Sequence, residues 1–130
     1  VEDSGAQLIV ADDELRELAG AAGVPLVSVD AEPTADVVLP SRVPPGSLAY
    51  VMFTSGSTGR AKGVAVTQGA VVALAADERF GSGAHGRVLF HSPHSFDAAT
   101  YEVWVPLLNG GCVVVAEGEV SVPVVRDAVA

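Results

Sequence analysis

Lysine occurs once in these 130 residues, at Lys62, and cysteine once, at Cys112. Lysine and arginine together number 7 against 16 acids, for a net charge of −9. Nucleic-acid binding needs a basic patch, and no segment supplies one, so that class of partner is excluded. A lone cysteine excludes an internal disulfide and fits a reducing cytosol. It lies in the apolar run Cys112-Val-Val-Val-Ala116, which predicts a buried core thiol and not a nucleophile. No apolar run reaches the roughly 18 residues of a membrane span, and the first residues carry acids where a signal peptide carries bases. The expectation is a soluble cytoplasmic protein with no membrane partner.

A hydrophobic fraction of 49% is ample for a core and sits at the apolar end for a soluble domain, so part of that surface is expected to meet protein outside this sequence. Residues 1–36 hold nine acids against Arg16 alone, which reads as a solvated face. Against this background Arg60 and Lys62 are the one local concentration of positive charge.

The elements alternate. Leu8–Val10 reads as a strand and Asp12–Gly20 as a helix with acids in its first turn and Leu15 and Leu18 on one face; Val24–Val29 reads as a second strand. This β-α-β order predicts parallel pairing. A proline-rich connection over 31–47 leads to a strand at 48–53, and Gly63–Val66 is again extended. Thr67 is an N-cap for a helix of about 68–79. Gly81–Gly86 is a turn, Val88–His91 a strand and Asp97–Leu108 a helix stopped by Asn109-Gly-Gly111; Cys112–Ala116 is a strand, and a last helix starts near Val122. The fold class is α/β, a mainly parallel sheet with flanking helices. The chain stops in mid-pattern, as a piece of a longer protein would.

Two stretches carry chemistry. The first joins the strand Tyr50-Val-Met-Phe to a loop of Thr54, Ser55, Gly56, Ser57, Thr58 and Gly59, with Lys62 close behind. Glycines and small hydroxyl residues let backbone N–H groups, O–H groups and one cation converge on phosphate oxygens. A Walker A loop does not fit: Ala61 replaces its second glycine, Gly63 replaces its magnesium-holding hydroxyl, and a helix beginning after Thr67 starts too late to receive phosphates. Gly81-Ser-Gly-Ala-His-Gly86 matches a dinucleotide fingerprint on paper but lies between helix and strand, the wrong order. His85, His91, His94 and Cys112 lack zinc-like spacing, and no hydrolase elbow occurs.

The second stretch is His94-Ser-Phe96-Asp97-Ala98-Ala-Thr-Tyr101-Glu-Val-Trp104. Asp97 sits at a strand-to-helix junction. It is either a capping carboxylate or an anion facing a pocket, with Ala98 and Tyr101 on the same side, suited to a substrate ammonium. The residues alone leave these two readings even.

Leu48-Ala-Tyr-Val-Met-Phe-Thr-Ser-Gly-Ser-Thr-Gly-Arg-Ala-Lys-Gly-Val64 resembles the signature loop of the adenylate-forming superfamily, which includes acyl-CoA synthetases, luciferases and peptide-synthetase adenylation domains. Phe96-Asp-Ala-Ala-Thr-Tyr-Glu-Val-Trp104 with Pro106-Leu-Leu-Asn-Gly-Gly111 resembles the amino-acid-activating branch, the adenylation domains of nonribosomal peptide synthetases, as does the strand entry Asp3–Val10. The resemblance implies ATP-dependent activation of an amino acid to aminoacyl-AMP and its loading onto the phosphopantetheine arm of a carrier protein. It implies that Thr54–Gly59 and Lys62 hold the ATP phosphates and that Asp97 pairs with the substrate α-ammonium. Ala98 and Tyr101 would line the side-chain pocket with Phe96 at its edge; Trp104 is expected in the helix core. Ala61 stands where the family usually has proline and Gln68 where histidine is common, but neither change removes a phosphate donor. The family's nucleoside contacts, magnesium-binding acid, hinge and catalytic lysine have no match in the chain, so no catalytic residue is assigned and Lys62 is not that lysine. The resemblance thus implies one partial domain, 1–130, truncated at both ends, inactive without the remainder of the adenylation domain. A fragment of an acyl- or aryl-CoA ligase and a nonenzymatic nucleotide-binding module are the alternatives.

Overall fold

The computed structural model describes residues 4–31, 42–55, 61–115 and 121–129. It contains two compact units, Val1–Ser41 and Arg42–Ala130. Among the described residues no helix is long and apolar enough to cross a membrane.

In the first unit β1 (Ile9–Ala11) pairs with β2 (Leu26–Ser28) in parallel, with Ile9 opposite Leu26. Between them lie a 3-10 turn at Asp13–Leu15 and α1 (Arg16–Ala21). The expected β-α-β order and parallel pairing are both present. The inward position of α1 is Ala19, 2% exposed, whereas Leu15 and Leu18 are exposed.

The second unit opens with β3 (Leu48–Ser55) and β4 (Ala61–Thr67), which form an antiparallel pair running from Leu48↔Thr67 to Ser55↔Ala61. Both were expected as extended segments, but not as partners. The reason for their direction is geometric: only five residues, 56–60, separate them, and a parallel crossover needs a dozen or more. Thr67 caps α2 (Gln68–Ala75) as expected, its hydroxyl accepting from the Ala70 N–H at 3.2 Å. The helix ends earlier than the expected residue 79. Asp77 takes over there, its carboxylate accepting from the Arg79 N–H at 3.0 Å and from the Arg79 guanidinium at 2.8 and 2.7 Å. An aspartate that bonds the local backbone competes with helix continuation. A 3-10 turn, Glu78–Phe80, follows. Hydrogen bonds from Arg79 hold the Asp77 carboxyl down to about 2.

The rest is a second β-α-β unit. β5 (Arg87–Phe90) and β6 (Cys112–Val115) are parallel, Arg87 opposite Cys112 and Phe90 opposite Val115, with α3 (Ala98–Leu108) as the crossover; α4 (Val122–Val129) comes last. Among the described residues parallel pairing thus holds for two of the three strand pairs. The core lies where α3 meets α2 and β5: Val71, Ala75, Val88, Ala99 and Val105 are buried, Val105 completely. Alanines at 75 and 99 leave room for close helix packing, and Asn109 ties the helices together by donating to Ala75 O at 2.8 Å and Val105 O at 2.9 Å.

Two expectations of burial fail. Trp104 is 41% exposed, because α3 turns Ala99, Glu102 and Val105 inward at helical spacing and leaves Trp104 off that face. Cys112 is exposed too; it opens β6 at the outer end of its register with Arg87, where the described residues provide no covering layer.

The helix stop at Asn109-Gly-Gly111 forms as expected, and here glycine is required. Gly110 has φ +74, and the N–H of Gly111 bonds back to Pro106 O at 2.7 Å, a Schellman closure. A Cβ on Gly111 would stand 2.5 Å from Gly86 O. That contact brings Cys112 N within 2.8 Å of Gly86 O and starts the β5–β6 register.

Candidate functional site: two clefts around Asp97

β3 presents Tyr50, Met52 and Thr54 at every second position, hence on one face. The loop after β5 brings Ser95, Phe96 and Asp97 opposite that face, and a cleft of about 350 Å³ lies between, lined among others by Tyr50, Thr54, Ser55, Phe96 and Asp97. A second cleft of about 380 Å³ runs between β3, α2 and α3, lined by Tyr50, Val66, Leu74, Asp97, Ala98 and Tyr101 among others. Asp97 and Tyr50 belong to both.

At Asp97 neither the backbone nor the side chain has the form of a helix cap. It precedes α3 with helical dihedrals (φ −62, ψ −30) and its side chain makes no capping hydrogen bond. A capping residue has extended dihedrals and an engaged side chain. The carboxylate is thus left for the clefts, flanked by Phe96 and Ala98, while its main-chain carbonyl accepts from the Thr100 N–H at 2.9 Å.

Of the residues singled out in the sequence, Thr54, Ser55, Phe96 and Asp97 meet in the first cleft, and Asp97, Ala98 and Tyr101 in the second. Phe96 is 61% exposed and lines the first cleft, not the one walled by Ala98 and Tyr101. Lys62 stands opposite Thr54 in the strand register, and the Thr54 hydroxyl donates to Lys62 O at 3.4 Å; Lys62 lines neither cleft. Gly56, Ser57, Thr58 and Gly59 lie outside the described residues. The start of α2 is already occupied, since the N–H groups of Gln68 and Gly69 donate to Ser47 O and Pro45 O, each at 2.8 Å. That helix end has no free donors there for an anion, in keeping with the misfit to a Walker loop. Among the described residues no cluster of three or more His, Cys, Asp or Glu side chains could hold a metal ion.

Two residues escaped the sequence reading. Tyr50 joins the clefts and is held by a 2.5 Å hydrogen bond between its hydroxyl and Thr100 Oγ1; strand alternation with Thr54 was the available signal. Glu102 is 5% exposed and binds the loop that carries Asp97. Its carboxylate accepts from the backbone N–H groups of His91 (3.1 Å) and Ser92 (3.0 Å) and from the Ser92 hydroxyl (2.7 Å), with His91 Nε2 at 3.3 Å. Burial pushes the Glu102 carboxyl upward, but the bonds from Ser92 and His91 together outweigh it and hold it below the usual glutamate value. Nothing in a helix-phase argument pairs a glutamate with a loop ten residues upstream.

A family model described as AMP-binding enzyme matches residues 1–129, and the chain belongs to that family. Its relatives bear out the resemblance to nonribosomal peptide synthetases. It is 41% identical over 128 residues to malpibaldin synthetase of Mortierella alpina, covering 93% of this chain and 2% of that protein. It is 38% identical over 120 residues to tyrocidine synthase 3 of Brevibacillus parabrevis, covering 88% of this chain and 2% of that one. Among solved structures, PA1221, a nonribosomal peptide synthetase protein containing adenylation and PCP domains, superposes with a TM-score of 0.73 at 39% identity, over 84% of this chain and 23% of that chain. The synthetase FmoA3 bound to α-methyl-L-serine-AMP gives 0.80 at 30% identity, over 98% of this chain and 15% of that chain. An o-succinylbenzoate coenzyme A synthetase from Bacillus subtilis gives 0.82 at 24% identity over 98% of this chain and 35% of its own, and shares the fold.

Proposed function

We propose that the chain is a segment of an amino-acid adenylation domain. The observation that carries this reading is the uncapped Asp97 carboxylate, shared by a cleft that reaches Thr54 and Ser55 and a cleft walled by Ala98 and Tyr101. Asp97 pairs with the substrate α-ammonium, which leaves the substrate carboxylate to point towards the phosphate loop. Ala98 and Tyr101 wall the side-chain pocket, and Phe96 lines the first cleft. Thr54, Ser55, Gly56, Ser57, Thr58 and Gly59 hold the ATP phosphates by backbone and hydroxyl donors, and Lys62 adds positive charge beside them. The substrate carboxylate oxygen attacks the α-phosphorus of ATP, the α–β phosphoanhydride bond breaks, and aminoacyl-AMP forms as pyrophosphate leaves. What these residues contribute is position and charge neutralisation. Magnesium, when bound, neutralises phosphate charge; its ligands, the catalytic lysine and the nucleoside contacts are assigned to the remainder of the adenylation domain, outside this sequence. The phosphopantetheine thiol of a carrier protein then attacks the aminoacyl carbonyl carbon; a thioester C–S bond forms, the mixed-anhydride C–O bond breaks, and AMP leaves as the thiol gives up its proton.

Pyrophosphate exchange into ATP by the enzyme carrying this segment provides the test. Exchange is expected with one or a few α-amino acids and not with their deaminated counterparts. Exchange with simple carboxylic acids alone would reassign the segment to an acyl- or aryl-acid ligase, which has no use for an anion at Asp97. Saturable ATP binding without exchange would mark a nonenzymatic nucleotide-binding module.

A further inference from the structure

The turn Gly81–Gly86 between α2 and β5 takes no part in the site as built so far, yet it is firmly anchored. At one end Asp77 caps the Glu78–Phe80 turn through Arg79. At the other, Gly86 O accepts from Cys112 N at the head of β6. Between these anchors a second 3-10 turn, Gly83–His85, directs His85 at Tyr101: His85 Nδ1 and the Tyr101 hydroxyl are 2.7 Å apart. The rings of Phe80, His85 and Tyr101 form a closed cluster. Phe80–His85 and His85–Tyr101 meet edge to face at 5.2 and 5.9 Å, and Phe80–Tyr101 is tilted at 5.3 Å. Such contacts hold an aromatic ring in one orientation.

Tyr101 is also a wall of the cleft that contains Asp97 and Ala98, whose other walls include Val66, Ala70 and Leu74. A tyrosine there can offer an apolar ring or a hydrogen-bonding hydroxyl. The geometry points to His85 as a specificity-determining positioning residue: by engaging the Tyr101 hydroxyl it takes up one of that group's hydrogen bonds and holds its oxygen towards the Gly83–His85 turn, so that substrate meets Tyr101 mainly through its ring and the pocket favours amino acids whose side chains are apolar at this wall. The inference rests on the amino-acid-adenylation reading above. A free hydroxyl on this wall would change discrimination by about the value of one hydrogen bond, about three- to tenfold.

The test is a double-mutant cycle in the enzyme carrying this segment, read as the ratio of kcat/KM in pyrophosphate exchange for pairs differing by one hydroxyl, valine against threonine and phenylalanine against tyrosine. His85→Phe keeps the ring cluster but frees the Tyr101 hydroxyl, and is expected to move the ratio about three- to tenfold towards the hydroxyl-bearing substrate, through KM and not kcat. His85→Asn restores a polar atom near Nδ1 and is expected to restore the wild-type ratio. In a Tyr101→Phe background His85→Phe is expected to change nothing further. If His85→Phe does not give folded enzyme, His85→Ala frees the same hydroxyl and must give the same shift. An unchanged ratio overturns the inference, as does an equal shift with and without the Tyr101 hydroxyl, or a uniform fall in kcat for all substrates. Wild-type enzyme that exchanges with no amino acid removes the underlying functional reading as well, which separates the two failures.

Discussion

Asp97→Ala is expected to abolish amino-acid-dependent exchange, with kcat/KM falling about a hundredfold or more, while the fold is kept. The magnitude follows from what the side chain does and does not touch. It makes no capping bond, so removing it leaves no backbone donor unpaired and costs α3 little. Its loss is confined to the substrate ammonium, which would enter the cleft beside Phe96 and Ala98 with no counter-charge there. Asp97 is exposed in this segment, so the cost is that of the pair once substrate covers it: removing one partner of a covered charge pair costs about 3–5 kcal/mol, and each 1.4 kcal/mol is about a factor of ten. Thermal unfolding and exchange measured on the same preparation separate the two effects. An unchanged Tm with lost exchange is the expected pattern. Unchanged exchange would make Asp97 a bystander.

Glu102 should behave in the opposite way, with a large effect on stability. Glu102→Ala removes the acceptor for two backbone N–H groups and the Ser92 hydroxyl at the end of β5. A buried donor left unpaired costs about 1–3 kcal/mol; these donors are only partly buried and water can reach them in part, so a total loss of about 2 kcal/mol is expected, read as a lower denaturation midpoint. The loop released is the one that carries Asp97, so KM for the amino acid is expected to rise as well. The pH dependence has a definite sign. The folded Glu102 carboxyl is held below its ordinary value of 4.5, against the opposing pull of burial. Its contribution is therefore complete above the unfolded value and is lost as pH falls through the folded one. Glu102→Gln, which carries no charge to lose, is expected to flatten that part of the acid limb of the stability curve. A variant whose acid limb matches the wild type would show that Glu102 is not ionised in the fold.

How much of this was legible beforehand follows from the range over which each signal acts. The Thr67 cap and the Gly110 stop are written in residues a few positions apart, the two β-α-β units in the order of locally legible elements, and all of them form. The antiparallel pairing of β3 with β4 was missed because each strand was read by itself, although the five-residue spacing between them already ruled out a parallel partner. Apolar character alone suggested that Trp104 and Cys112 would be buried. Burial follows helix phase at Trp104 and the supply of a covering layer at Cys112, and composition carries neither. At Asp97 the residues left two readings even and the family resemblance favoured the pocket one; the helical dihedrals and absent capping bond argue against a cap. Tyr50, Glu102 and His85 depend on partners 10 to 50 residues away, a distance at which no periodicity argument reaches.

The central claim is that the Asp97 carboxylate receives the substrate ammonium. A structure of the whole adenylation domain with a non-hydrolysable aminoacyl-adenylate tests it most directly. The account predicts the α-ammonium within hydrogen-bond distance of the Asp97 carboxylate, about 3 Å, with the substrate side chain against Ala98 and the ring of Tyr101 and the phosphate beside Thr54 and Ser55. An ammonium bound elsewhere, with Asp97 facing solvent or bonded to protein, would contradict it.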